Sequence, residues 1–353
     1  MKKFTKVATL LVLMTGLVVS TGYGQDENGD DEHTKRAQTS MKFLSFSVDA
    51  RAAALGDAMT GQEEASAVAM FYNPAGMARF EGNVSVAISK AQWIADINYN
   101  SAAMMFRPAG GLYGVFGISA MIVDYGELEG TIRSDNDQGF VRIGEFSPSA
   151  SVIGFGYARA LTDRFVVGAH AKYASEDLGS ALLRLKVTEY DEKKNKEVVE
   201  TTVGDIKHST VAYDFGVIYR TGFKSLTFAM TARNFSKDVI YSDAEEIQEI
   251  PLIFRIGVAL DLMDFTGMDK NVHSLLLAID TERPRDYYEQ IKVGAEYTLM
   301  NTLSLRAGYV TPSDEQGISF GAGVKMFGFG VDYAYTDFGI FDQVHRATVK
   351  VAF

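Results

Sequence analysis

The sequence predicts an all-β fold, a transmembrane antiparallel β-barrel of about fourteen strands with a short α-helical N-terminal hatch in its lumen. Three observations lead to this prediction: runs of alternating apolar and polar residues, connections that alternate between short and long, and an N-terminal export signal. Strands of this kind can cross a bilayer only as a closed barrel, because every backbone N–H and C=O group needs a partner there.

The alternation is strictest near the C-terminus, where Val349, Val351 and Phe353 alternate with Lys350 and Ala352. A period of two is typical of strands with one apolar and one polar face. Membrane strands need about 9–11 residues, and these runs are that long. The predicted strands are 84–91, 99–107, 112–124, 149–160, 164–174, 208–220, 225–235, 252–262, 272–281, 288–299, 302–310, 318–326, 329–336 and 345–353.

The end of the last strand carries a further signal. An aromatic final residue on an alternating strand resembles the signature that barrel-insertion machinery recognises. We therefore assign Val349, Val351 and Phe353 to barrel assembly, with that machinery and outer-membrane lipid as expected partners. The last strand should pair with the first, near 84–91, to close the ring.

The connections between strands alternate in length. Short ones lie at 108–111, 161–163, 221–224, 300–301 and 327–328, with an intermediate one at 263–271, and longer polar ones lie at 125–148, 175–207, 236–250, 282–287, 311–317 and 337–344. Outer-membrane barrels have short periplasmic turns, long external loops and an even number of strands. Both ends of the barrel are therefore expected on the periplasmic side.

The N-terminus has the three parts of a secretory signal, namely Lys2, Lys3 and Lys6, an apolar stretch over 7–19, and small residues at Gly22 and Gly24 before cleavage at Gln25. The alternative is an uncleaved membrane anchor.

The predicted organisation is a signal peptide at 1–24, a flexible acidic N-terminus at 25–42, a helical hatch or plug at 43–83 and the barrel at 84–353. This predicts export to the outer membrane of a Gram-negative bacterium.

Composition excludes several classes of protein. The chain has no cysteine, which excludes disulfides and thiolate chemistry, and its net charge of −11 argues against nucleic-acid binding.

The Gly-x-Ser-x-Gly pattern at 317–321 lies within an alternating strand and not at the strand-to-helix turn of a hydrolase. Asp135 and Asp137 lack the closing glutamate of a calcium loop. We expect no catalytic residue, cofactor or metal.

The segment at 43–80 does not have strand character. Its Ala-rich parts, 49–59 and 63–72, suit short helices, and a turn at Asn73-Pro74-Ala75-Gly76 should end the second helix. Candidate hatch or gate residues are Asn73, Pro74, Ala75, Gly76, Asp49 and Arg51. The alternative for the Asn-Pro turn is a purely structural role.

The polar faces of the strands carry charges that a barrel would turn into its lumen, between many Gly and Ala positions that leave room for a plug. The candidate lumen-lining residues are His170, Lys172, Lys292, Glu296, Arg306, Lys325, Asp332, Arg346 and Lys350. Two interpretations remain open: a selectivity lining, or mutual neutralisation that holds the barrel and hatch together.

Several stretches resemble the PorV/PorQ family of outer-membrane proteins, which is related to the FadL-type transporters. The two main stretches are Asp49-Ala-Arg-Ala-Ala-Ala-Leu-Gly-Asp-Ala58 and Phe71-Tyr-Asn-Pro-Ala-Gly-Met77; the further ones are 157–165, 219–222, 232–235, 250–257 and 307–309. The resemblance covers nearly the whole mature chain and implies a fourteen-stranded barrel with an N-terminal hatch.

The resemblance implies a non-enzymatic function in envelope transport, in one of two forms. PorV-type proteins serve the type IX secretion system of Bacteroidota, where they bind cargo or partner proteins. FadL-type proteins pass long-chain fatty acids or other hydrophobic small molecules through the lumen and a lateral opening. The first is our main expectation and the second the alternative, since Asn73-Pro74-Ala75-Gly76 is common to both branches.

Overall fold

The computed structural model describes residues 39–63, 66–134, 136–191, 196–237, 239–240, 247–285, 287–313, 316–341 and 343–353. The expected signal peptide at 1–24 lies outside these residues, as does most of the expected flexible segment at 25–42. No helix within the described ranges has both the length and the apolar character needed to cross a membrane.

Strands dominate the described residues. In chain order they are β1 (Val84–Gln92), β2 (Asn98–Phe106), β3 (Val115–Asp124), β4 (Leu128–Arg133), β5 (Phe140–Phe146), β6 (Ser149–Ala160), β7 (Phe165–Asp191), β8 (Lys196–Arg220), β9 (Thr227–Ser236), β10 (Val239–Ile240), β11 (Ile247–Gln248), β12 (Ile253–Asp261), β13 (His273–Pro284), β14 (Gln290–Leu299), β15 (Leu303–Thr311), β16 (Ile318–Met326), β17 (Phe329–Asp337) and β18 (Gln343–Ala352).

Fourteen of these strands form one closed antiparallel barrel, in the order β1-β18-β17-β16-β15-β14-β13-β12-β9-β8-β7-β6-β3-β2. The ring closes between β1 and β18, where Val86 lies opposite Val351 and Gln92 lies opposite His345. The Phe353 N–H also donates to the Val84 carbonyl at 3.0 Å. The predicted fold class, strand number and closing pair are confirmed.

The outer surface of the barrel is an apolar belt. Its large side chains stay exposed because alternate residues on each strand point away from the lumen; Ile153, for example, is 68% exposed. Members of the belt include Ile88, Ile118, Ile153, Phe155, Phe215, Leu305, Phe320, Val331 and Val349. An apolar outer band around a closed barrel is what a bilayer-spanning barrel presents to lipid.

The long connections carry more structure than expected. Strands β7 and β8 continue as a two-stranded ribbon through the predicted loop 175–207, and the tip expected at 191–196 falls at the end of that ribbon, with residues 192–195 outside the described part of the chain. Smaller hairpins, β4–β5 and β10–β11, occupy two other long connections.

The hatch contains one short α-helix, α1 (Ala50–Ala54), and 3-10 turns at Lys42–Ser45, Ala67–Phe71 and Pro74–Arg79. The predicted helices are thus shorter than expected and mostly 3-10. The Ala67–Phe71 turn ends with Tyr72 as its C-cap, and Asn73 then begins a new turn: its side chain accepts from the Ala75 N–H at 3.1 Å, with proline at the first helical position.

The described end of the segment expected to be flexible is packed against the barrel. Thr39 forms a β-bridge with Glu249, the Ser40 N–H donates to the Glu249 carbonyl at 2.9 Å, and the Met41 side chain is buried. The ordered hatch therefore begins a few residues before 43.

Phe353 closes the ladder between the first and last strands, so its removal should impair assembly. We expect deletion of Phe353 to lower the fraction of protein that shows heat-modifiable mobility on gels, because the Asn83 and Val84 amides lose their acceptor. Phe327→Ala, which truncates an exposed aromatic side chain in the turn between β16 and β17, is the matched control. Equal folded fractions for the deletion and the control would contradict this role.

Candidate functional site

The candidate site is the lumen, which the hatch fills from one end of the barrel to the other. The hatch starts beside Glu249 in a long connection. It ends near a short turn, where Arg79 Nη2 donates to the Asp163 carbonyl at 2.6 Å. Any passage through the lumen in this state would have to go around or displace these residues.

Glycines on the wall let the hatch approach the strands closely. A Cβ added at Gly216 would lie 2.0 Å from Asn73 Oδ1, and one at Gly308 would lie 2.1 Å from the Gly56 nitrogen. Real Cβ atoms do not come this near, so a Cβ at Gly308 would displace the hatch backbone and one at Gly216 would displace the Asn73 side chain. The small lumen residues noted in the sequence thus accommodate the hatch.

The Asn73 motif organises the hatch from within. Asn73 Nδ2 donates to the Thr60 carbonyl at 2.8 Å, and the Gly76 N–H donates to the Asn73 carbonyl at 2.9 Å. Pro74 and Ala75 lie against Gly168 on β7. The four gate candidates of this motif therefore form one compact turn that contacts the wall.

Asp49 and Arg51, at α1, attach the hatch to the opposite side of the barrel. The Asp49 carboxylate caps α1 through the Ala52 N–H at 3.1 Å and pairs with Lys350 at 3.2 Å. Arg51 makes a bidentate contact with Glu296, with both N–O distances 2.8 Å. Bidentate, charge-assisted pairs of this kind are the stronger ones in proteins.

These two contacts belong to a larger set of ion pairs, which we call the latch: Asp49, Arg51, Glu296, Arg306, Asp332 and Lys350. Arg306 contacts Glu296 and pairs with Asp332 at 2.7 Å, and Asp332 pairs with Lys350 at 3.3 Å. The latch contains as many carboxylates as cations, so its charges neutralise one another across the hatch and β14, β15, β17 and β18.

A second ionic cluster holds the middle of the hatch. Arg255 contacts Glu282, Lys292 donates to Glu282 at 2.8 Å, and the Thr60 N–H donates to Asp280 at 2.9 Å. Asp57 lies 4.0 Å from Arg255. Carboxylates of the wall therefore bind both wall cations and the hatch backbone.

A third cluster lies on the other side of the lumen, around Asp214. His170 Nδ1 lies 3.2 Å from Asp214 and its Nε2 lies 2.9 Å from Ser119 Oγ; Lys172 pairs with Asp214 at 2.8 Å. The contacts of Ser119 with His170 and of His170 with Asp214 have the order of a Ser-His-Asp hydrolase triad. The neighbouring strands, however, pair continuously through β2, β3, β6 and β7, so their amides serve the wall and do not form an oxyanion hole.

A β-bulge places additional polar groups beside Asp214. Tyr213 pairs with Phe235 and Phe215 with Ala232, so β9 carries one extra residue. At Asn234 the backbone takes a φ of 61°, and its N–H donates to Asp214 at 2.7 Å in place of a ladder bond. Arg233 and Asn234 consequently both face the lumen.

Next to this cluster is a cavity of about 20 Å³, room for about one water molecule. Its apolar side consists of Leu44, Phe46, Val48, Phe71, Met121 and Val152, and its polar side of His170, Lys172, Asp214 and Arg233. We call it the inner cavity.

A groove of about 700 Å³ lies over the same strands on the outer face of the barrel. Its walls include Ile88, Met104, Ile118, Ile153, Phe155 and Tyr173, and its floor includes Ser119, Gly154 and Lys172. We call it the outer groove. Lys172 lines both spaces, so a single layer of strands at β3, β6 and β7 separates them.

Aromatic residues close the lumen at the long-connection end. Phe46 stacks on Tyr99 with ring centroids 3.8 Å apart and meets Trp93 edge-on at 4.8 Å. The Arg346 guanidinium lies over Phe46 at 4.9 Å and donates to the Ser47 carbonyl at 3.0 Å. We call Phe46, Trp93, Tyr99 and Arg346 the seal. Phe46 belongs both to the seal and to the lining of the inner cavity.

The Tyr72 hydroxyl links the seal to the latch. It accepts from the Asp49 N–H at 3.0 Å and contacts Ser47 Oγ at 2.9 Å. Burial, followed by the charges of Asp57 and Asp49, raises the pKa of Tyr72 well above its usual value. The hydroxyl therefore keeps its proton and can donate to Ser47.

The structure places eight of the nine predicted lumen-lining residues in these contacts; Lys325 lies on the same face but is exposed at the short-turn end. Strand alternation also places Asp214, Arg255 and Glu282 inward, beyond the residues predicted. Arg233 follows the same inward alternation as Thr227, Ala229 and Thr231, and the bulge reverses Phe235 instead. Ser319, of the Gly-x-Ser-x-Gly pattern, donates to the Ala54 carbonyl at 3.3 Å from within β16.

Gly308→Ala should destabilise the protein, because its Cβ would meet the hatch backbone at Gly56. We expect a loss of about 1–3 kcal/mol in the free energy of unfolding, measured by denaturation in detergent. Gly330→Ala is the matched control, since the nearest atom to its Cβ is 3.7 Å away. Equal effects of the two substitutions would show that the hatch does not occupy this position.

Glu296→Gln should loosen α1, because it leaves Arg51 and Arg306 without their shared carboxylate. Breaking a buried pair costs about 3–5 kcal/mol, so amide hydrogen exchange within Ala50–Ala54 should accelerate. The control is Glu289→Gln, which removes an exposed pair with Arg283. Unchanged exchange at α1 would mean that the latch does not hold the hatch.

No protein-family model matches the sequence, and no curated protein is significantly similar to it. Solved structures share its architecture. The CymD monoaromatic hydrocarbon channel aligns with a TM-score of 0.54 and 12% identity, over 87% of this chain and 97% of that chain.

Two further structures align comparably, each at 12% identity. The Pseudomonas putida toluene transporter TodX has a TM-score of 0.55, over 85% of this chain and 95% of its own. A Pseudomonas aeruginosa FadL homologue has a TM-score of 0.52, over 87% of this chain and 98% of its own. At this identity the comparisons show a common fold, a closed barrel of the same class.

Proposed function

We propose that this protein is a non-enzymatic channel of the outer membrane that admits hydrophobic small molecules, with the hatch as its gate. The apolar outer belt supports a membrane location. Two proteins of similar fold are a monoaromatic hydrocarbon channel and a toluene transporter. This is the FadL-like alternative of the sequence analysis.

The observation that carries the proposal is the position of the inner cavity and the outer groove on the two sides of the same wall. The cavity has an apolar side formed by hatch and wall residues, and the groove opens toward lipid with an apolar lining. Binding sites for hydrophobic ligands are concave and mainly apolar. A molecule that enters past Phe46 would find apolar surface up to this wall.

The route is closed in the state described by the structure. The hatch fills the lumen, and Ser119 pairs with Gly154, and Gly154 with Lys172, without a gap. Passage therefore requires displacement of Leu44–Val48 to enlarge the cavity and a local parting of the wall at β3, β6 and β7. Neither step needs a catalytic group or a cofactor.

The single tryptophan of the chain, Trp93, can report on ligand entry, because it contacts Phe46 at the seal. We expect titration of the detergent-purified protein with toluene and with dodecane to change Trp93 emission saturably for at least one of them. Phe46→Ala should weaken this response by removing the contact. Trp93→Phe, which removes the fluorophore, is the control for emission changes that do not come from Trp93.

Calorimetry provides the independent check on this titration. Absence of saturable binding of toluene, dodecane and a fatty acid by both methods would overturn the channel proposal.

A second candidate is the main expectation from the family resemblance, a type IX secretion-associated component that binds partner or cargo proteins. It is favoured by the β7–β8 ribbon, which extends through most of 177–207 with both outer edges unpaired in the described chain. Unpaired strand edges are surfaces on which another chain can add a strand.

Replacement of 179–204 by Asn-Gly should separate the two candidates. Under the secretion proposal it abolishes binding of purified exported proteins of the same cell, while the barrel still shows heat-modifiable mobility. Removal of the β4–β5 hairpin, 128–146, is the control for loop loss in general. Retained binding after the first deletion would contradict a partner site on the ribbon.

A further inference from the structure

Lys90 on β1 is a cation that points out of the barrel, toward lipid. It shares the outward face of β1 with Val86 and Ile88, because alternate residues of a strand point the same way. Lys90 is exposed, and it forms no hydrogen bond or ion pair within the described part of the chain. A charged side chain on the lipid face of a barrel strand is unfavourable, and more so the deeper it lies. A bound anion would offset this cost.

The apolar belt is short at this part of the barrel. On β14 the outward residues are apolar along the whole strand, namely Ile291, Val293, Ala295, Tyr297 and Leu299. On β1 and β2 the belt ends earlier, because Lys90 lies opposite Asn100 in the row after Ile88 and Ala102. At about 3.3 Å per residue, Lys90 follows Ile88 by only about 7 Å along the strand. A polar row therefore begins within the strands, on the side of the long connections.

The outer groove adjoins this polar row on the side of the short turns. Its lining includes Ile88 of β1 together with Ala102 and Met104 of β2, which share the outward faces of their strands with Lys90 and Asn100. Its volume of about 700 Å³ lies in the range of sites that enclose a small ligand. The surface is thus amphipathic, with a cation and an amide beside an apolar groove.

Small outward residues create the groove. Ala102 lies opposite Ala120, and larger side chains such as Ile118, Phe155 and Tyr173 form the walls around them. In a bilayer this recess faces acyl chains. An empty recess would leave its lining without packing contacts, so hydrocarbon is the material that fits it.

The position of the cation indicates the leaflet from which a lipid would come. Lys90 lies toward the long connections, which are external in outer-membrane barrels. The external leaflet of an outer membrane consists of acylated glycolipids that carry phosphate close to their acyl chains. An ammonium group binds phosphate as a point charge, and the Asn100 amide can donate to a further phosphate oxygen.

We propose that the outer groove, Lys90 and Asn100 form a binding site for a phosphorylated glycolipid of the external leaflet. One acyl chain would lie in the groove and a phosphate would lie at Lys90. The site requires only that the barrel lies in an outer membrane. It therefore goes beyond the proposed channel function and does not depend on it.

Native mass spectrometry of the detergent-purified full chain tests the head-group contact. The probes are bisphosphorylated lipid A, fully dephosphorylated lipid A and phosphatidylglycerol. We expect lipid A to bind more tightly than the other two. Lys90→Gln should weaken lipid A binding about 5-fold, the gain expected for a basic residue near an anionic lipid, and leave dephosphorylated lipid A unaffected. Lys224→Gln, which removes an exposed cation between β8 and β9, is the matched control.

A second pair of variants tests the groove. Ala102→Phe fills it and should weaken binding of both forms of lipid A, whereas Ala307→Phe, on the outward face of β15 and outside the groove, should not. Equal effects within either pair of variants would overturn the site, as would tighter binding of phosphatidylglycerol than of lipid A.

A dimer that Ala102→Phe abolishes would assign the groove to a second copy of the chain and would also overturn the lipid site. Only protein with heat-modifiable mobility is compared. If Lys90→Gln does not fold, the wild-type affinities for lipid A and its dephosphorylated form decide the question: equal affinities overturn the phosphate contact. The channel proposal stands or falls separately, on the binding of toluene, dodecane and a fatty acid.

Discussion

Closure of the backbone hydrogen-bond ladder is the constraint on which the rest of this structure depends. In lipid each strand N–H and C=O must be paired, and here β18 returns to β1 to complete the ring. A closed ring has a lumen of fixed circumference. The hatch must fit that space as it is, which is why glycine occurs where the Asn73 side chain approaches β8 at Gly216 and where the hatch backbone approaches β15 at Gly308.

The lumen also has to accommodate charge in a space largely without solvent. On the side of β14 to β18 it does so by pairing each carboxylate with a cation, and the hatch contributes one of each, Asp49 and Arg51. On the side of β7 to β9 the pairing is incomplete at Arg233. The barrel thus holds the hatch by ion pairs along one side, whereas at β7 and β8 the hatch packs closely against Gly168 and Gly216.

The sequence predicts the fold best in the strands, where contact with lipid restricts which residues can occur. A strand between bilayer and lumen must alternate, so β16 was predicted and observed at 318–326. Above the membrane no such restriction exists, and the extension of β7 and β8 into a ribbon was missed. In the hatch, Ala-rich composition predicted α-helix, but Asn73 and Pro74 start new turns and keep the helices short.

The candidate site was only partly accessible from the sequence. Alternation gave the inward direction of residues such as Glu296 and Lys350, but not which charges would meet across the hatch. At β9 a strict period of two puts Arg233 and Phe235 on one face. The bulge at Asn234 separates them, so that Arg233 is buried inside and Phe235 is exposed outside.

That bulge has a consequence for how the barrel can change over evolution. Loss of Asn234 would leave Arg233 facing in and Phe235 facing out, because the extra residue lies between two stretches that each keep their own alternation. The pairing of β9 with β12 ends at Arg233, so it would be untouched. A single codon could therefore add or remove a polar group at the lumen surface without shifting any neighbouring strand.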